Sequence, residues 1–225
     1  DFMKIPKWFW VGLLLALFLR LALIPNPGFE ADISFWKAWG LAVVDKGIIE
    51  GLKVSNSNYP TPFMYVLGTM VWMYKLFADP HNFNEFWTNT NLLFLTISKM
   101  FPILADFGIA AILFRASRYG SILALVYLFN PISLIDGAWW GQVDSLGLFI
   151  FLLAVVAALK KMPLLSGIIY MVAMMTKLQN MIYGPVFFLF IWQYLGYNGL
   201  IRAITGAILA FFGLNIEFFL SKNMD

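Results

Sequence analysis

The chain has 225 residues, of which 61% are hydrophobic and 12% charged, and its net charge at pH 7 is +3. A soluble domain carries about 25% charged residues because its surface faces water, so this composition predicts an all-α, polytopic membrane protein and excludes an ordinary soluble domain. The basic residues are scattered among apolar runs, which argues for membrane orientation and against nucleic-acid binding.

The first apolar run, residues 8–24, follows Lys4 and Lys7 and ends in Pro25-Asn26-Pro27-Gly28. No small-x-small cleavage pattern follows it, which predicts a retained span and not a removed leader. Further apolar runs occupy residues 63–77, 92–114, 122–135, 146–159, 164–175, 181–192 and 204–220. A helical span needs roughly 20 mostly apolar residues. Lys4 with Lys7, Arg115 with Arg118, Lys160 with Lys161, and Arg202 mark cytoplasmic ends. That parity forces residues 63–77 to begin and end on the outer side. The run is short, opens beside Pro60 and Pro62 and carries Lys75, so it is expected to lie in the outer interface.

Seven spans result, at about residues 7–24, 91–114, 120–135, 145–159, 163–176, 180–195 and 203–220, in a single membrane domain over 1–225. One large outer loop, about residues 25–90, precedes the second span. Within it, residues 33–44 mix Phe35, Trp36, Trp39 and Val43 with Ser34 and Lys37, a pattern that suits an interfacial helix. Residues 50–58 are polar and predict a surface loop.

With no cysteine and one histidine, His81, disulfides, thiol chemistry and a histidine metal cluster are excluded. Chemistry must then rest on carboxylates, lysines, arginines, amides and hydroxyls. Glu30-Ala31-Asp32 directly follows the first span. If extended, that backbone directs both carboxylates to one side; alternatively Asp32 caps a helix that starts at Ile33. Lys99 and Asp106 share a helix face, with Asp106 ~10 Å deeper. Charges within spans are costly and face the protein interior or water. Asp106 is expected as a structural ion, and Lys99 either as another or as an anion contact. Pro102 frees the carbonyl of Ser98 and is expected to bend this helix beside Lys99.

Asn130-Pro131 and the stretch from Asp136 to Ser145 combine two tryptophans, glycines, an amide, two carboxylates and a hydroxyl. An aromatic belt plus a cap from Asp144 or Ser145 accounts for the tryptophans but leaves Gln142 unexplained. Lys177-Leu178-Gln179-Asn180 interrupts two apolar runs at the same expected face. The plain alternative there is an interfacial lysine reaching for headgroups.

Taken in order, these residues resemble the GT-C superfamily of polyprenyl-phosphosugar glycosyltransferases, nearest the mannosyltransferase branch related to the second GPI mannosyltransferase. The matching string is Glu30-Ala31-Asp32, then Tyr59-Pro60-Thr61-Pro62, similar to a Tyr-Pro-Pro motif with Thr61 in place of the second proline. Lys99 with Asp106, Asn130-Pro131, Trp140-Gly141-Gln142-x-Asp144-Ser145, and Lys177-x-Gln179 with Pro185 continue it. Each piece is weak alone; their order over about residues 30–185 carries the resemblance. It implies a seven-span module with an acidic catalytic residue in the first outer loop, flanked by interfacial helices. The implied reaction moves a sugar, mannose foremost, from a polyprenyl-phosphate carrier to a glycan, lipid or protein acceptor. The implied face is extracytoplasmic, at the plasma-membrane exterior or the ER lumen. Members usually continue with further spans and a variable acceptor-binding part, so the chain is expected to belong to something longer or to need a second membrane subunit.

A lipid phosphate leaves without a general acid, so such a reaction needs a carboxylate base and cations near the phosphate. Asp32 is assigned the base role, with inversion at the anomeric carbon. Lys99 and Lys177 are the candidate phosphate contacts, expected to share one outer pocket, with Arg20 a third. Glu30, Tyr59, Gln142, Asp144 and Gln179 are candidate substrate-binding residues, and Gln142, Asp144 or Gln179 could instead position Asp32. Glu30 with Asp32 could hold a divalent metal, although two carboxylates alone make a poor site. The rival class is a transporter or channel subunit, which predicts polar groups or broken helices at mid-membrane, whereas these clusters gather at one face. A noncatalytic assembly subunit is the third reading.

Overall fold

A computed structural model describes residues 5–221; Lys4, one of the expected cytoplasmic markers, lies outside the described residues. The order is α1 (Lys7–Leu23), α2 (Glu30–Ser55), α3 (Thr61–Lys75), α4 (Phe83–Phe86), α5 (Leu92–Ala116) and α6 (Gly120–Leu128). It continues with α7 (Pro131–Trp140), α8 (Asp144–Leu159), α9 (Pro163–Thr176), a 3₁₀ turn (Leu178–Tyr183), α10 (Gly184–Leu214) and α11 (Ile216–Leu220). The fold is all-helical, with no strand among the described residues.

Among the described residues, two helical stretches are long and apolar enough to cross a membrane, Leu92–Ala116 and Leu178–Leu214. The α6–α7 pair, bent by 48°, makes a third if it acts as one span. The 15 residues of α3 cover roughly 22 Å, less than the ~30 Å of a hydrocarbon core, and the apolar helices α8, of 16 residues, and α9, of 14, are shorter than that core as well.

Two helices depart from expectation, both at glycines. The polar loop expected at residues 50–58 is corrected, because α2 runs through to Ser55. It breaks only at Gly47, where φ is 78°, a conformation that costs glycine little for want of a Cβ. The expected spans at 180–195 and 203–220 were to be joined by a loop containing Arg202. Instead α10 is one helical run interrupted at Gly196 (φ 71°), with Arg202 inside its second arm and its end at Leu214.

The chain packs as two compact units. The first comprises Asp1–Phe35 and Met73–Phe149. In it, α1 packs on α6 and α6 on α5, around a core of Phe9, Ala16, Ala110, Ala124 and Leu128. Phe9 stacks on Phe114 with ring centroids 4.9 Å apart. Arg20 of α1 and Asp106 of α5 form an ion pair at 3.0 Å, both side chains fully buried. The guanidinium also donates to the Leu128 carbonyl at 2.8 Å, the Ala16 carbonyl at 3.3 Å and the Ser133 hydroxyl at 3.3 Å. The Tyr127 hydroxyl donates to the second Asp106 oxygen at 2.8 Å. Charged groups in apolar surroundings persist only when paired and hydrogen-bonded in this way.

The second unit comprises Trp36–Trp72 and Ile150–Asp225. Its α9 and α10 lie close along their lengths, because Gly167 faces the Ala203 carbonyl and Gly206 the Leu164 carbonyl, where a Cβ would clash. Small residues permit such helix approach in lipid. Tyr170, Phe187 and Ile191 fill the core beside them, and the Ser166 hydroxyl donates to the Ala154 carbonyl at 2.8 Å. Elsewhere in the unit, α3 buries Phe63, Met64, Leu67, Met70 and Val71, and Trp36 meets Phe63 edge-on at 5.9 Å.

Breaking a buried ion pair by removing one partner costs about 3–5 kcal/mol, whereas an apolar replacement of both is often neutral. Arg20→Met is therefore expected to lower the unfolding free energy by about that amount. The double variant Arg20→Met/Asp106→Leu should recover part of the loss. Thermal and denaturant unfolding of the purified variants in detergent checks both.

Candidate functional site

The sequence-predicted residues Glu30, Asp32, Lys99, Gln142 and Asp144 fall in the first unit, and Tyr59, Lys177 and Gln179 in the second. Each group is described within its own unit.

The first group forms where the chain leaves α1. Pro25 and Pro27 end the helix, and the Asn26 side chain accepts from the Gly28 N–H at 2.9 Å, a local turn that asparagine favours. Gly28 has φ 68°, and a Cβ there would stand 2.1 Å from the Trp140 carbonyl oxygen, so only glycine fits. Helix α2 then begins at Glu30. This corrects both expectations for Glu30-Ala31-Asp32: the segment is helical, not extended, and Asp32 lies inside the first turn, not at the cap. Residues two apart on a helix point roughly 200° away from each other, so the carboxylates of Glu30 and Asp32 do not converge. The pair does not fit a divalent metal, and no cluster of three or more metal-binding side chains forms among the described residues.

The second strand of the site comes from α7. Asn130 caps it by accepting from the Ile132 N–H at 2.9 Å, and Pro131 occupies the first turn, where its missing N–H costs nothing. The helix then widens into a π-helix over Leu134–Trp140, a rare geometry that is frequent at functional sites. It stops at Gly141, φ 90°, and the Gly141 and Gln142 N–H groups both return to the Asp136 carbonyl, at 3.1 and 2.9 Å. That closure delivers two side-chain donors to one acceptor. The Trp140 indole N–H reaches Asp32 Oδ2 at 3.3 Å, and the Gln142 amide donates to the same oxygen. Among the described residues, Asp32 Oδ1 takes none of these bonds, and Asp32 is half-buried. Gly28, Phe29, Ile135, Trp139 and Trp140 line an adjacent groove of about 260 Å³, with Phe29 edge-on to Trp140 at 5.9 Å. Asp144 opens α8 and is exposed, while the Ser145 hydroxyl donates to the Pro102 carbonyl at 3.1 Å.

Lys99 is fully buried. Its ammonium donates to the carbonyls of Ile24 at 3.2 Å, Asn26 at 2.6 Å and Trp139 at 2.7 Å. An ammonium has three protons, so none remains for a phosphate oxygen in this arrangement. As a phosphate contact, Lys99 would have to release one of these carbonyls. Arg20, the third expected phosphate contact, is fully buried and gives four of its five N–H groups to Asp106, Ala16, Leu128 and Ser133. Asp106 is the structural ion that its depth suggested.

In the second unit, Tyr59 is half-buried and packs against Phe63 at 4.4 Å and Trp39 at 5.9 Å. Lys177 is buried at the end of α9 on extended backbone. Gln179 is exposed on the 3₁₀ turn, and the neighbouring Asn180 amide donates to the Ala173 carbonyl at 2.8 Å. Sequence reasoning missed Lys37, assigned to an interfacial helix but only 1% exposed; burial pushes its ammonium down to about 8. It also missed Trp140 as a partner of Asp32, because the plain role of a tryptophan at a membrane boundary hid its indole N–H.

No known protein family is matched by the chain, and no curated protein is significantly similar to it in sequence.

A saturated, solvent-shielded ammonium should resist acylation. Treating the folded protein with a water-soluble amine-reactive ester should modify the exposed Lys160 and Lys161 and spare Lys99 until denaturant is added. Peptide mapping by mass spectrometry reads the result.

Proposed function

We propose that the protein is a multi-pass membrane glycosyltransferase of GT-C type. It transfers a sugar, mannose foremost, from a polyprenyl-phosphate carrier to an acceptor hydroxyl at the extracytoplasmic face. The observation that carries this reading is the state of Asp32: its two donors, Trp140 and Gln142, both sit on Oδ2, and Oδ1 is left for a proton. A carboxylate fixed through one oxygen and open at the other is what a general base requires. The exposed aromatic groove beside it offers an apolar surface next to the base, where a lipid-linked sugar can rest.

In the proposed reaction the acceptor hydroxyl gives its proton to Asp32 Oδ1 while its oxygen attacks the anomeric carbon. The bond from that carbon to the phosphate oxygen breaks, and the lipid phosphate leaves with the electron pair, inverting the centre. No group need protonate such a leaving phosphate. Seven spans, with α3 at the outer interface, belong to this proposal and follow from the basic residues at Arg115, Arg118, Lys160 and Lys161. A transporter reading gains little from the deep charges, because the Arg20–Asp106 pair is fully bonded within the protein.

Asp32→Asn keeps size and shape but cannot take the proton. Transfer of tritiated mannose from polyprenyl-phosphate mannose to octyl mannoside is expected to fall by about 10²–10⁴, with donor binding and thermal stability retained. Undiminished transfer by the variant contradicts the assignment.

A further inference from the structure

We propose that Lys99 is a positioning residue for Asp32: its ammonium fixes the distance between the turn that leads into Asp32 and the segment that carries Trp140 and Gln142. The inference rests on Asp32 being the base and adds the device that holds it ready.

The geometry is specific. Ile24 and Asn26 belong to the turn directly before α2, and Trp139 precedes Trp140 in the closing turn of the π-helix. Lys99 binds two carbonyls on the first side, at 3.2 and 2.6 Å, and one on the second, at 2.7 Å. Its stem also lies against Gly141, where a Cβ would meet Lys99 Cε at 3.4 Å and Cγ at 3.6 Å. Gly28 closes the gap further, facing the Trp140 carbonyl with no room for a Cβ. These are contacts of main chain with main chain, or of main chain with one ammonium. The Trp140 and Gln142 side chains reach Asp32 only while those two main-chain segments stay at this separation. A cation that contacted phosphate would need a proton to spare, and Lys99 has none here. A shift of about 1 Å in a reacting group costs on the order of 10² in rate, so the clamp acts on turnover and not on donor binding.

The test uses the full chain in proteoliposomes, with polyprenyl-phosphate mannose as donor and octyl mannoside as acceptor. Turnover, donor affinity and thermal stability are measured for Lys99→Met, Asp32→Asn, their combination, and Gly28→Ala. Lys99→Met is expected to lower kcat by roughly 10–100-fold with donor affinity unchanged. The combined variant should be no slower than Asp32→Asn alone, since residues that act through one another are not additive. Gly28→Ala pushes the two segments apart from the other side and should reproduce the kcat loss without touching the lysine; it decides the matter if Lys99→Met does not fold. Weakened donor binding at unchanged kcat would overturn the proposal in favour of a phosphate contact. So would a rate loss in the combined variant that multiplies the two single losses. An inactive Asp32→Asn beside an unimpaired Lys99→Met and Gly28→Ala defeats the positioning role alone. Normal transfer by Asp32→Asn defeats the base assignment, and the positioning role with it.

Discussion

The Lys99 ammonium, wholly removed from solvent, is held by three backbone carbonyls. A buried cation is expensive unless its protons find acceptors. Two of these acceptors are supplied where helices end: Ile24 is the residue after α1, and Trp139 lies in the last turn of the π-helix. Carbonyls at a helix C-terminus lack partners within the helix and carry its negative dipole end. One lysine therefore satisfies orphan acceptors of two helices and of the turn between α1 and α2. The arrangement of Asp32, Trp140 and Gln142 follows from that junction, because Trp140 and Gln142 closely follow Trp139, and Asp32 stands in the first turn of the helix that the Asn26 turn leads into.

Along the same face of α5, seven residues further on, Asp106 performs a different task. Its two oxygens are taken by Arg20 and Tyr127, and the Arg20 guanidinium extends the network to the C-terminal end of α6 and the start of α7. The first unit thus has two polar layers about 10 Å apart on one helix. The deeper layer ties α1, α5 and α6 together, and the shallower one ties their connecting turns. The small residues Ala16, Ala110 and Ala124 pack in the first unit's core, so that long polar side chains on α1 and α5 can meet.

Much of this was legible in the sequence for plain reasons. Low charge and long apolar runs announced the helices, and the amide at Gln142 stood out because no belt or turn needs it; it is bonded to Asp32. Asp106 was read as a structural ion from its depth alone. Other features were hidden. Lys99 binds carbonyls, which every residue has, so no partner for it could be picked out from side chains. The π-helix leaves no signature in hydrophobic spacing over seven residues, and its closure at Gly141 is what aims Trp140 at Asp32. The start of α2 was misjudged because an acidic residue before an apolar run suits a cap and a first turn equally. Gly47 and Gly196 each break a helix within a single residue.

The claim on which the account turns is that substrate meets the open oxygen of Asp32 while the carbonyl clamp stays closed. An experimental structure with a phosphonate analogue of polyprenyl-phosphate mannose tests it most directly. The account predicts the anomeric carbon facing Asp32 Oδ1 with space for one hydroxyl between them, Trp140 and Gln142 on Oδ2, and Lys99 on its three carbonyls. A sugar bound away from Asp32, or a phosphonate seated on a Lys99 ammonium that has let go of Ile24, Asn26 and Trp139, would contradict it.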